Sequence, residues 1–367
     1  METKKSLALS LLESFTQAHG APGNEDAVRD IFIEHLHASG EIVTDRTGGV
    51  ACTLSSGSKS ADAPRVLVAG HMDEVGFMVQ NITPNGFLQF LPLGGWWEHT
   101  VLAQRVRIRR RDGSEIIGLT TSIPPHFLPA DARKSLLPID KMFIDIGATS
   151  RQDAESRLGI TLGDTIVPLS PFAPLNGDDL YTAKAFDNRV GMAAAVQSAL
   201  ATGESELPCR PIAVGTTQEE VGTRGAVTMG NLLKPDVALV LEGPPADDTP
   251  GMNPAESQGR LGGGAQIRLY DPSAIMNRHL ADFVIATAAE NSIPHQVTVR
   301  RSGGTDARTL SLSGTGIPCV VLGVPARYIH SHNAVIDIRD YLSLVELLSA
   351  LLPRLTPERV ASFTTFH

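Results

Sequence analysis

The chain has 367 residues, with 42% apolar, 19% charged and 5% aromatic side chains. This length exceeds one ordinary domain, and the composition is that of a globular chain with a large core, which excludes disordered and fibrous classes. The formal charge of −9 gives no field for attracting nucleic acid or an anionic membrane. No stretch reaches the ~18–20 uninterrupted apolar residues of a membrane helix, and the amino terminus lacks a signal-peptide run. Cys52, Cys209 and Cys319 are odd in number and widely spaced, as in a chain from a reducing cytoplasm.

The first forty residues read as two helices. Leu7, Leu11, Leu12 and Phe15 recur on one face, Gly20 is placed to end that helix in the left-handed region, and Asn24 to cap the next. RVLVAGHMDEVG (65–76) then has the near-continuous apolar run of a buried parallel strand that ends in polar residues. Between about Gly76 and Pro168 the texture changes to alternating β segments with turns at Asn85-Gly86 and Asp112-Gly113, and no amphipathic helix is predicted among them. Arg105, Arg107 and Arg109 alternate there with Val106 and Ile108, which places the arginines on a solvated or subunit-facing strand face; Trp96 and Trp97 read as core or interface.

After this insertion an Ala-rich helix runs from Asp187 to Gly203. The strands RPIAVGTT and DVALVLEG follow, then a helix over about 273–290, the strand IPCVVLGVPA, and a closing helix with Asp340 as its N-cap. The reading is an α/β fold: a mostly parallel sheet flanked by helices, built from residues 1–75 and 169–367, with a small all-β barrel-like domain inserted at 76–168.

The carboxyl ends of parallel strands converge on one crevice, so residues distant in sequence can meet there. His71 and Asp73 follow VLVAG, Glu219 and Glu220 follow the 210–217 strand, Glu242 ends VALVLEG, and His330 and His332 lie just beyond VVLGV. Two imidazoles and several carboxylates in one crevice call for a cation. Their mix suits Zn²⁺, with Co²⁺ or Mn²⁺ also fitting, and there are more ligands than one metal needs. Each residue also has a plainer reading: His71 as a hydrogen-bonded core histidine, Asp187 as a helix N-cap, Glu219-Glu220 as a solvated step. Glu242 is harder to dismiss, because an ionised Glu after five apolar residues needs a partner.

Taken together and in this order, GHMDEVG (70–76), AFDNR (185–189), QEEVGTRGA (218–226), LEG (241–243) and ARYIHS (326–331) resemble the dinuclear-metal aminopeptidases that assemble as tetrahedral particles, the glutamyl-aminopeptidase-like family. The resemblance implies His71 and Glu242 on one metal, Glu220 and His330 on the second, and Asp187 bridging them. Relatives carry Asp or Glu at the position of Glu242. His332 falls outside the His-Ser pattern that selects His330. The resemblance further implies that Asp73 steadies the His71 imidazole, and that Glu219 is the general base toward a water acidified by the metal pair. SGGTDA (302–307) would lie beside substrate, with Gly304 permitting close approach and Asp306 contacting the free α-ammonium, or else serving as a turn residue or helix cap.

The expected activity is removal of amino-terminal residues from short peptides by a cytoplasmic protein; the resemblance implies a homo-oligomer in which the insertion forms dimers that build a dodecamer. A metal-dependent deacylase or carboxypeptidase keeps the same centre. A cellulase-like glycoside hydrolase gives the histidines no role, and a non-catalytic peptide-binding shell gives Glu219 none.

Overall fold

The computed structural model describes residues 2–203 and 205–365. Among these residues nine strands form one mixed sheet. Its main path runs Gly40–Thr44, Val50–Leu54, Arg210–Thr216, Arg65–His71, Val237–Glu242, Cys319–Gly323, Ala265–Asp271 and Ala274–Ile275, and His295–Val299 lies beside Ala265–Asp271. The four central strands, Arg210–Thr216 through Cys319–Gly323, are mutually parallel, as their continuous apolar runs predict. Antiparallel pairs extend the sheet on both sides of them.

Helices cover both faces. Leu11, Phe15, Phe32, Val190, Val284, Leu344 and Leu348 join one core cluster from the helices Glu2–Gln17, Asp26–Leu36, Phe186–Thr202, Arg278–Glu290 and Ile338–Leu351. Met229, Leu233 and Leu310 cover the opposite face from Arg224–Leu233 and Ala307–Leu310.

The β segments between these halves close into an antiparallel six-stranded barrel, in the order Gly76–Ile82, Leu88–Leu93, Phe143–Asp145, Glu115–Thr121, Arg105–Arg109 and Thr165–Pro168. Phe77, Val79, Val106, Ile108, Ile144 and Ile166 fill it. The alternation read from the arginine run holds, because Val106 and Ile108 point inward between the arginines. Trp96 stacks on Phe77 with ring centroids 4.6 Å apart and donates to the Gly76 carbonyl, while Trp97 is exposed.

Four local expectations are corrected. Gly20 does not end the first helix in the left-handed region; its place is set by space, since a Cβ there would lie 2.5 Å from an Arg189 guanidinium nitrogen. Glu25, not Asn24, stands at the N-cap of Asp26–Leu36, and its carboxylate turns away to other donors. The helix expected from 273 starts at Arg278, because residues 274–275 pair as a strand and the Asn277 side chain caps the Leu280 N–H. The closing helix begins after Asp337, whose carboxylate accepts from the Arg339 N–H; Asp340, one turn inside, accepts instead from the N–H groups of Gly262 and Gly264. A short helix, Arg151–Ser156, also interrupts the β texture of the insertion.

Candidate metal centre

Three parallel strands deliver the first residues of the site. His71 is the last residue of Arg65–His71 and lies in register with Thr216, so the neighbouring strand ends beside it and runs on into Glu219 and Glu220. Glu242 closes the third strand, Val237–Glu242. Asp187 comes from the first turn of Phe186–Thr202, where Asp187 and Asn188 depart from helical geometry. It is not a helix N-cap: Ala185 holds that position and makes no side-chain capping bond. Gly243 permits the approach, because a Cβ there would lie 2.9 Å from the Asp187 Cα.

Two ligand-like groups result: His71 with Asp187 and Glu242, and Asp187 with Glu220 and His330, the offered atoms of each group lying within 4.8 Å of one another. Asp187 belongs to both through opposite oxygens, with Oδ1 3.3 Å from His71 Nε2 and Oδ2 3.5 Å from His330 Nε2. Glu242 Oε2 is 3.7 Å from His71 Nε2, and Glu220 Oε2 is 3.6 Å from His330 Nε2. Glu219 belongs to neither group, yet its Oε2 comes 4.0 Å from His71 Nε2. His332 is buried elsewhere, its ring 5.5 Å from that of Trp96.

Both imidazoles are oriented from behind by carbonyl groups. His71 Nδ1 lies 3.0 Å from the Asp73 carbonyl oxygen and His330 Nδ1 lies 2.7 Å from that of Gly95. An Nδ1–H bonded to a carbonyl leaves the Nε2 lone pair free, and both Nε2 atoms face the carboxylates. Asp73 thus steadies His71 mainly through its backbone, its Oδ1 being 3.5 Å away. Its carboxylate has a different use, which the sequence did not reveal: it accepts the Glu219 and Glu220 N–H groups at 2.9 and 3.0 Å. Glu25 braces the same segment, its Oε1 accepting the Thr217 hydroxyl and the Gln218 N–H. The barrel contributes as well. Gly94, at φ +85°, lets its loop pass over Glu220, whose Oε2 would lie 3.2 Å from a Cβ at this position.

Burial and mutual repulsion dominate the electrostatics. Burial first, then the neighbouring Asp187 and Asp73, push Glu220 up to about 7 against the opposing pull of the histidines. Glu219 and Glu242 are driven well above the usual carboxylate range, again chiefly by burial and by nearby carboxylates. Burial works against a charged His330, but Asp187 and Glu220 outweigh it and hold the imidazole at about 9. Glu220 Oε1 is buried with no hydrogen-bond partner among the described residues. Crowded carboxylates, an orphaned oxygen and two Nε2 lone pairs aimed inward fit a pair of divalent cations.

The cleft over these groups has a volume of about 440 Å³. Gly304 lines it. Asp306 stands behind that wall, 2% exposed, with its Oδ2 accepting the Thr216 hydroxyl at 2.5 Å and no capping bond to the helix it precedes. A buried ionic group that sequence reading missed, Glu74 with Lys184 and Arg189, ties the His71 and Asp187 segments together: Arg189 bonds Glu74 and also the carbonyls of Phe15, Ala18 and Gly20.

Comparison with known proteins agrees with this geometry. The model of the M42 glutamyl aminopeptidase family matches residues 48–347. The glutamyl aminopeptidase of Lactococcus lactis subsp. cremoris is 34% identical over 357 residues, covering 97% of this chain and 98% of that protein. Among solved structures, a TET aminopeptidase from a marine sediment archaeon of the Thaumarchaeota superposes with a TM-score of 0.92 at 40% identity, covering 97% of this chain and 99% of that one. The Pyrococcus horikoshii TET1 peptidase, described as assembling into a tetrahedron or a large octahedral shell, gives 0.84 at 30% identity, covering 94% and 99%. With the fold, the two His–carboxylate groups and the matched length all agreeing, the chain belongs to the M42 peptidase family and is a metal-dependent hydrolase of the aminopeptidase type.

Proposed function

We propose that the protein removes amino-terminal residues, with a preference for acidic ones, from short peptides. The observation that carries this reading is the sharing of Asp187 between two His–carboxylate groups with a fourth carboxylate, Glu219, left over beside them. His71 and Glu242 would hold one metal, Glu220 and His330 the other, and Asp187 both, with Zn²⁺ or Co²⁺ suiting the mixed nitrogen and oxygen donors. When bound, the metal pair supplies Lewis-acid polarisation of the scissile carbonyl and lowers the pKa of water. Glu219 takes the proton from the attacking water and returns it to the departing amine; Asp73 fixes the backbone that carries Glu219 and Glu220. Gly304 forms cleft wall for substrate, and Asp306 sets that wall from behind through Thr216.

The acidic preference follows from charge. Apart from Glu219 and the five ligand residues, the charged side chains lining the cleft are Arg268 and Arg308, both cationic. Arg268 is 4% exposed and bonds Asp271 Oδ2 at 3.1 Å through Nη1, while its Nε is buried without a partner among the described residues. A carboxylate side chain on the first residue would be drawn by the charge of this guanidinium and by the exposed Arg308. Glutamyl and aspartyl p-nitroanilides are therefore expected to outpace leucyl and lysyl ones, and Arg268→Met to lower kcat/KM on the glutamyl substrate about 10- to 100-fold with little change on alanyl. Equal losses on both substrates would remove the assignment.

The reaction class is tested by comparing each peptide with its amino-terminally acetylated form. Only the free amine should be processed; equal rates would favour a carboxypeptidase, and turnover of the acetylated form alone a deacylase. We also propose residues 1–75 and 169–367 as the catalytic unit and 76–168 as a dimerising unit, in a cytoplasmic particle of twelve subunits. The tetrahedron or octahedral shell described for the Pyrococcus horikoshii relative supports a closed particle. No described helix is long and apolar enough to cross a membrane. Light scattering on the eluted protein should give a mass near twelve subunits; a stable monomer would refute the assembly.

A further inference from the structure

The segment that carries Glu219 leaves its strand through a constrained turn. Just past Arg210–Thr216, Gln218 adopts a left-handed backbone with φ +56°, which is unfavourable for a residue with a side chain unless its surroundings enforce it. The carbonyls of the turn are satisfied within it: those of Thr217, Gln218 and Glu219 accept the N–H groups of Gly225, Arg224 and Thr223. Its N–H groups instead reach two carboxylates from elsewhere in the chain. Those of Glu219 and Glu220 go to Asp73, and that of Gln218 goes to Glu25 Oε1 at 3.1 Å.

Glu25 is 2% exposed and stands before Asp26–Leu36 without capping that helix. The same Oε1 accepts the Thr217 hydroxyl at 2.5 Å and the Gly23 N–H at 2.8 Å. A carboxylate taken out of water needs donors in place of the water, and two of the three donors here belong to the Glu219 segment. The Glu219 side chain depends on that support. Among the described residues its carboxylate accepts no hydrogen bond, so its aim follows its backbone, whereas Glu220, as a metal ligand, would be held at its far end as well.

We infer that Glu25 is a positioning residue for the general base: by fixing Thr217 and Gln218 from the loop between the first two helices, it sets the direction in which Glu219 meets the attacking water and the departing amine. Glu25 does not line the cleft, so it acts through the turn and not on substrate. Proton transfer demands that donor and acceptor lie within hydrogen-bond reach, and a small displacement of a reacting group costs rate steeply while leaving substrate binding intact. The inference rests on the reading of Glu219 as the base.

Steady-state kinetics on the best p-nitroanilide substrate, with metal content measured on the same preparations, test it. Glu25→Ala should lower kcat about 10- to 100-fold with KM and the metal complement unchanged. Glu25→Gln keeps an acceptor oxygen at the same place and should recover most of that rate. The deciding measurement is the double variant of Glu25→Ala with Glu219→Gln. If Glu25 acts through Glu219, the double variant is no slower than Glu219→Gln by itself. Thr217→Val, which removes one donor from Glu25 at nearly constant volume, should give a smaller loss that likewise vanishes beside Glu219→Gln, and it carries the test should Glu25→Ala not fold. Additive losses in the double variants, or loss of metal in Glu25→Ala, would overturn the inference by showing support of the fold or of the ligands; so would wild-type kcat in Glu25→Ala. Failure of the base reading is seen separately, as undiminished kcat in Glu219→Gln alone.

Discussion

Glu219→Gln is expected to lower kcat by about 10²–10⁴-fold while leaving KM, metal content and fold intact. The prediction rests on the position of Glu219 outside both His–carboxylate groups, with its Oε2 4.0 Å from His71 Nε2 and its N–H held by Asp73. Glutamine keeps the volume and the backbone bond to Asp73, so the ligands Glu220 and Asp187 should not move. What it removes is the ability to accept and return a proton. Burial and the neighbouring carboxylates Glu242, Asp306 and Glu220 oppose a charge on Glu219, so the substitution also relieves repulsion. Thermal stability should therefore hold or rise as activity falls, a pairing that a merely structural role would not produce. Steady-state kinetics beside elemental analysis of the same preparation checks it. Wild-type kcat in a variant with a full metal complement would sink the assignment, and loss of metal along with activity would recast Glu219 as a ligand.

The sequence revealed the parts of the site that lie at strand ends. His71 and Glu242 were legible because an apolar run that stops at a polar residue marks the carboxyl end of a buried parallel strand, and the structure puts both there. Asp187 was placed by motif, not by periodicity, since its surroundings depart from helical geometry. The supports were not legible. Asp73 acts through its carbonyl on His71 and through its carboxylate on the segment of Glu219, a division of labour that no side-chain pattern encodes. Glu25 lies nearly two hundred residues from the Gln218 N–H it accepts, a separation that no local pattern bridges. The barrel was visible as a change of period, but its reach into the site through the Gly94-Gly95 loop depends on close approach in three dimensions. At the closing helix more than one residue could cap, and tertiary donors decided which of Asp337 or Asp340 did so.

Removing the metals is expected to abolish hydrolysis and to lower the melting temperature by an amount that grows as pH rises. In the metal-free protein the Glu220 carboxyl stands at about 7, raised by burial and by Asp187 and Asp73 from its ordinary 4.5, and Glu219 and Glu242 are raised as well. A carboxyl with a raised folded value holds its proton longer when folded than when unfolded. Its stabilising contribution is complete below about 4.5 and is lost as pH climbs through the folded value. His330, held at about 9 because Asp187 and Glu220 outweigh its burial, runs in the same direction: its contribution is present below 6.5 and lost as pH climbs through 9. The bare site should thus weaken steadily from pH 5 to 9 as the carboxylates charge against one another. Cations reverse the trend, because they need deprotonated ligands and compete with protons for them. The gap between loaded and chelated melting temperatures should be small near pH 5 and on the order of 5 °C or more near pH 8. Melting curves at several pH values, before and after chelation and after return of Zn²⁺ or Co²⁺, measure both effects on one sample. A gap independent of pH would refute the proton competition. Undiminished turnover in chelated protein shown to be metal-free would refute the metal centre itself, since no second cation near Asp187, Glu220 and Glu242 would then be needed to bring their charges together.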